Sequence, residues 1–125
     1  MRKIKLSNRE LDVMLVLWNS DKALAATDIP AINPDLSVNT VQAVLKNLLK
    51  KSYIKVADII YHGTVLTRSY EPVLTHEDYI LSQLEDASLT SSGLAAALVK
   101  NENNTDTLDK LEELIQEQKK KLMKR

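Results

Sequence analysis

The stretch Ser37-Val38-Asn39-Thr40-Val41-Gln42-Ala43-Val44-Leu45-Lys46-Asn47-Leu48-Leu49-Lys50-Lys51 decides the fold. Val38, Val41, Val44, Leu45, Leu48 and Leu49 recur at helical spacing and predict one inward face, with Ser37 as the cap that starts the helix. Immediately afterwards the period changes. Tyr53-Ile54-Lys55-Val56-Ala57-Asp58-Ile59-Ile60 and Val65-Leu66-Thr67-Arg68-Ser69-Tyr70-Glu71 are β-branched and aromatic runs, separated by Tyr61-His62-Gly63-Thr64. Gly63 stands where a hairpin needs positive φ, and Pro72 ends the second run.

Upstream, Ser7-Asn8-Arg9-Glu10 is a capping box, and Leu11, Met14, Leu15 and Trp18 follow at helical spacing until about Asn19-Ser20-Asp21. Thr27 is predicted to cap a short second helix over Asp28–Ile32, and Asn33-Pro34-Asp35 turns the chain into the third. Three helices and then a hairpin make a winged helix-turn-helix, so the fold class is mainly α with a small β element. Downstream, Thr75-His76-Glu77-Asp78 opens a fourth helix with acids in its first turn, and Tyr79, Ile80 and Leu84 form its stripe. Residues 88–92 read as a break, and Gly93 to Lys100 as a short helix carrying Leu94 and Leu98. From Thr105 a last helix places Leu108, Leu111, Ile115, Gln118 and Leu122 at alternating spacings of three and four. Such a run is too short for a stable coiled coil by itself. It predicts one face of a helical dimer, built from Ile80, Leu84, Leu94, Leu98, Leu108, Leu111, Ile115 and Leu122; a helix folded back on its own domain is the other reading. The expected organisation is a winged-helix domain over 1–73 and a helical dimerisation region over 74–125.

Composition narrows the function. Basic and acidic residues number 17 each, but through Pro72 there are ten basic against seven acidic, and the remainder reverses the sign. A basic front and an acidic back orient a molecule toward a polyanion. Cysteine is absent, which removes a disulfide framework, thiolate metal sites and cysteine nucleophiles. His62 and His76, the two histidines, stand in no ligand spacing, so neither a metal nor a cofactor is expected. With two glycines in the chain there is no phosphate-cradling loop, and no catalytic set can be assembled. No signal-type apolar run follows Met1-Arg2-Lys3-Ile4-Lys5, and no stretch reaches membrane-spanning length, so a cytoplasmic protein is expected.

With its inward side removed, the third helix presents Asn39, Thr40, Gln42, Ala43, Lys46, Asn47 and Lys50 within one arc. Amide side chains can pair with adenine edges, threonine can reach a base or its methyl group, and lysines neutralise phosphates. Ala43 is small enough to let the backbone approach a groove. These features predict double-stranded DNA as the partner. Asn39, Thr40, Gln42, Ala43, Lys46 and Asn47 are the base-proximal candidates; Ser37, Lys50, Lys51, Lys55 and Arg68 are the backbone-contact candidates. The hairpin tip could add phosphate or minor-groove contacts.

The same residues resemble the penicillinase-repressor family of transcriptional regulators. Leu6-Ser7-Asn8-Arg9-Glu10-Leu11-Asp12-Val13-Met14-Leu15-Val16-Leu17-Trp18 is similar to the family's opening helix, and Ser37 to Lys51 to its recognition helix with the closing lysine pair. The resemblance implies a homodimeric winged-helix repressor on dyad operators rich in TACA/TGTA. The chain departs where Val38 and Asn39 replace the common proline and lysine, and where Gln42 and Asn47 replace cations. Amides there imply a different base preference and weaker phosphate attraction. The wing is also several residues longer. Members that respond to β-lactams are cut by a membrane metalloprotease at an asparagine-phenylalanine bond. This chain has no phenylalanine, and the matching junction falls near Ala97-Leu98. Copper-responsive members use a C-terminal cysteine cluster, which is missing here. The expectation is a repressor with an open inducing signal, a regulatory protease acting at a different bond being one route. Two other readings fit the pattern: a winged-helix protein-interaction module, and a small-molecule sensor.

Overall fold

The computed structural model describes residues 3–84 and 90–124. The element order is α1 (Asn8–Trp18), β1 (Leu24–Ala25), α2 (Asp28–Ile32), α3 (Val38–Lys50), β2 (Ile54–His62), β3 (Val65–Pro72), α4 (His76–Gln83), α5 (Ser91–Lys100) and α6 (Thr105–Met123). The chain divides between Asp86 and Ala87 into two compact units.

In the first unit α1 starts on the expected capping box: Glu10 N donates to Ser7 Oγ, and Ser7 N donates to Glu10 Oε1. Val13, Met14, Val16 and Leu17 then face a core that also takes Leu24, Ile29, Leu36, Val41, Val44, Leu45, Leu48 and Ile54. This is the helical stripe of α1 and α3 meeting, closed off by one residue each from β1, α2 and β2. Pro30 is tolerated in α2 because it lies in the first turn, where its missing N–H would have no helical partner.

Three local expectations are corrected. Thr27 adopts helical backbone and makes no side-chain cap; Asp28 Oδ2 instead accepts from Ala25 N. Val38 is exposed and not inward, because the first turn of α3 overhangs the core and Leu36, just before it, fills that space. The two-residue strand β1 was not anticipated; it pairs Leu24 with Tyr70 and Ala25 with Ser69, and the sheet order is β1-β3-β2.

The end of α3 is a Schellman motif. Ser52 N donates to Leu49 O and Tyr53 N to Leu48 O, with Ser52 at φ 63. Glycine is the usual occupant of that left-handed position, and serine bears a steric cost there. The hairpin then runs antiparallel, with an irregularity between Val56 and Asp58 where Ala57 is the extra residue; Gly63 has the expected positive φ.

After β3, the chain is pinned by Val73 N and Leu74 N, both donating to Tyr53 O. Trp18 Nε1 donates to Leu74 O at 2.8 Å, and the Trp18 ring stacks on His76 with centroids 4.4 Å apart. Thr75 caps α4. At its far end Ser82 Oγ accepts from Ile4 N, and Gln83 Nε2 donates to Ile4 O. These contacts hold α4 to the first unit, one element beyond the expected 73/74 boundary.

In the second unit, α5 begins two residues earlier than expected because Thr90 Oγ1 accepts from Gly93 N. A Cβ at Gly93 would stand 2.8 Å from that oxygen, so glycine permits the cap. The first part of the expected break at 88–92 falls outside the described residues. Asn104 caps α6, whose Leu108 and Leu111 are half-buried while Ile115 and Leu122 are exposed. Neither α5 nor α6 has a buried residue.

Candidate nucleic-acid interface

The outward arc of α3 follows from its inward one. With Val41, Val44, Leu45 and Leu48 buried, the helical period leaves Asn39, Gln42, Ala43, Lys46, Asn47 and Lys50 on the solvent side, and all six are exposed. Thr40 is half-buried at the edge of this arc. Its hydroxyl accepts from Ser37 Oγ at 2.9 Å, while Ser37 Oγ accepts from Thr40 N, so both hydroxyls serve the start of the helix. Asn39, Gln42, Lys46, Asn47 and Lys50 have no such commitment among the described residues.

The four basic backbone-contact candidates, and Lys46 beside them, divide by environment. Lys46 and Lys50 lie on the exposed arc and form no ion pair among the described residues. Arg68 is exposed on β3, opposite Ile59, and is likewise unpaired among the described residues. Lys51 and Lys55 differ: Lys51 Nζ sits 2.9 Å from Glu10 Oε2, and Lys55 Nζ 3.3 Å from Glu71 Oε1. The Lys55 pair is exposed on both sides, whereas the Lys51 pair joins an exposed lysine to a buried acid.

Between α3 and the wing runs an open groove of about 420 Å³, lined by Thr27, Gln42, Val65, Thr67 and Arg68 among others. It joins the recognition arc to the hairpin and is floored by Leu45. Thr27 and Thr67 were not anticipated there. The unused capping hydroxyl of Thr27 is a signal only once the backbone at 27 is known. Beyond the groove the wing tip carries Ile59, Ile60, Tyr61, Val65 and Leu66, all exposed, with Tyr61 at 74%.

Glu10, at the start of α1, is buried and ion-paired with Lys51. Burial pushes its carboxyl up, but the Ser7 backbone N–H and the Lys51 ammonium outweigh burial and hold it below its ordinary value of 4.5. No group of three or more metal-ligating side chains exists among the described residues, and no described helix is long and apolar enough to cross a membrane.

A recognition-type helix set after a proline-marked turn, with an adjoining groove and wing, defines a winged-helix DNA-binding regulator of transcription. More particularly, the chain belongs to the penicillinase repressor family, whose model matches residues 6–117, and it is a transcriptional repressor by that membership. The match spans both compact units. No curated protein sequence matches the chain.

Proposed function

We propose that two copies of this chain together cover a two-fold operator in a promoter and repress by occlusion. Each copy places α3 in the major groove. Asn39, Thr40, Gln42, Ala43, Lys46 and Asn47 approach base edges, and Ser37, Lys50 and Arg68 contact the sugar-phosphate backbone, with Lys51 and Lys55 adding field more than contact. The observation that carries this reading is the six-residue exposed arc of α3, polar except for Ala43, on a helix whose other face is wholly committed to the core. The groove beside Gln42, with Arg68, Thr27 and Thr67 among its lining residues, is where one strand's backbone would run.

The copies pair through the C-terminal helices and α4: Ile80, Leu84, Leu94, Leu98, Leu108, Leu111, Ile115 and Leu122 supply the apolar contacts. Severing α5, where Leu98 is exposed, would separate the paired copies and release the operator. A regulatory protease acting there, at a bond other than asparagine-phenylalanine, is one derepression route, the inducing signal itself being open.

Fluorescence anisotropy with the chain's own promoter region and with random DNA of equal length, across a salt series, tests the reading. The expected result is a clear preference for promoter DNA at moderate salt, with a footprint of two half-sites about one helical turn, or a multiple of it, apart. Gln42→Ala should weaken that preference by about 1–3 kcal/mol, concentrated at one base position per half-site. Equal retention of both DNAs at moderate salt, or a monomer at working concentration, would sink it.

A further inference from the structure

Two adjacent lysines end α3 and meet different fates. Lys50 is exposed and unpaired among the described residues, whereas Lys51, also exposed along its stem, reaches back and donates to both oxygens of Glu10, at 3.0 Å and 2.9 Å. Glu10 is 41 residues earlier in the chain and only 5% exposed. The same carboxylate accepts from Ser7 N at 2.9 Å, which completes the capping box of α1. One buried acid therefore joins the amino end of α1 to the carboxyl end of α3.

An exposed ion pair holds little because solvent competes and long side chains lose freedom in making it. This one differs on its acid side. Glu10 has left water, and removing its partner would strand a buried charge. The lysine is also placed where it matters. Lys51 is the C-cap of α3, its own N–H donating to Asn47 O, and Ser52 reverses the chain directly after it. The amino end of α3 is set by Leu36 in the core and the Ser37 cap. The Glu10 bond is the polar tether at the other end. A helix fixed at both ends keeps one angle, and base-edge contacts demand positioning to a fraction of an ångström.

We propose that Glu10 is a positioning residue for DNA recognition, which through Lys51 fixes the last turn of α3 and withholds the Lys51 ammonium from the phosphates. This rests on operator binding by α3. It also gives the closing lysine pair a division of labour, with Lys50 for the nucleic acid and Lys51 for the frame.

The test uses the full chain and measures affinity for promoter and random DNA across a salt series. The variants are Glu10→Gln, Lys51→Met, their double, and Lys51→Arg. Glutamine still serves a capping box, so Glu10→Gln removes charge and leaves the start of α1 intact. Lys51→Met keeps the aliphatic stem at a partly exposed position, so at least one of the two folds, as circular dichroism and Trp18 fluorescence will show. Each single variant should lose about tenfold in promoter affinity with little change in salt slope, and the double no more than the worse single. Lys51→Arg, which preserves a two-pronged bond to carboxylate, should stay near the parent. If Glu10→Gln instead tightens both DNAs and steepens the salt slope by about one charge, Lys51 is a phosphate ligand in reserve and the proposal fails. Unchanged affinity in the folded variants also overturns it. Loss of promoter preference in the parent chain marks a different failure, that of operator binding itself, and takes the tether's role with it.

Discussion

Glu10 concentrates more of the fold's logic than any other side chain, and its ionisation has a consequence for stability. Hydrogen bonds from Ser7 N and Lys51 hold its carboxyl below 4.5, against burial that would raise it. A group whose folded value is depressed contributes stability that is fully present above its unfolded value and is lost as pH falls through the folded one. Urea unfolding followed by Trp18 fluorescence should therefore show a stability that is flat from neutrality down to about pH 5 and declines further into acid. Glu10→Gln should lower the neutral-pH value and flatten that decline; an equal decline in the variant would mean other carboxylates carry it. The capping box was legible from Ser7 and Glu10 because it is local, three residues apart. The Lys51 bond was not, since nothing in the sequence around 51 distinguishes a lysine that reaches back to a buried acid from its neighbour that does not. Arg68 belongs to the same scale. It is exposed and faces the groove beside Gln42, so Arg68→Ala should weaken promoter and random DNA alike and lower the salt slope by about one.

Among the elements, the helices follow from apolar spacing and the hairpin from its change of period and Gly63. What local patterning left out were devices that need a tertiary partner. The strand β1 is two residues long and exists only because β3 offers an edge to Leu24 and Ala25. The stop of α3 was hidden for another reason: Ser52 occupies a position at which glycine is the expected signal. This yields a test of the element. Ser52→Gly removes the left-handed penalty on a residue with a Cβ, set against the extra chain entropy glycine brings to the unfolded state. The balance should favour the variant by about 0.5–1 kcal/mol, a rise of a few degrees in melting temperature for a unit of this size. Calorimetry of the full chain reads it directly, and a lower melting temperature would show that the serine makes a compensating contact. The candidate interface was legible at the same level. Once Val41, Val44, Leu45 and Leu48 are inward, the outward residues of α3 are determined by the helical period. The groove with Thr27 and Thr67 was not, because it arises between elements.

For the whole molecule, the decisive fact is that the second unit does not bury its own apolar residues. No side chain of α5 or α6 is buried, and Leu98, Leu114, Ile115 and Leu122 are each more than half exposed. Helices of 10 and 19 residues with so little covered surface are marginal in water by themselves. In the proposed pairing, a second copy would cover these side chains with the same surface across a two-fold axis. The chain also belongs to the penicillinase repressor family, and in the proposed pair two linked reading heads would convert a weak single contact into a strong paired one. Leu111→Glu combined with Ile115→Glu places charge in the middle of the α6 stripe and should turn a dimer into a monomer by analytical ultracentrifugation. Promoter affinity should fall by about 10²- to 10⁴-fold, because the second α3 no longer binds at the effective concentration set by the first. The first unit should be untouched. Its core lies in α1 to β3, Trp18 packs against Leu74 and His76 of the same unit, and thermal unfolding read at Trp18 should match that of the parent measured at low concentration. A variant that stays dimeric would move the pairing surface away from α6, and one that turns monomeric yet keeps its promoter affinity would show that a single α3 suffices.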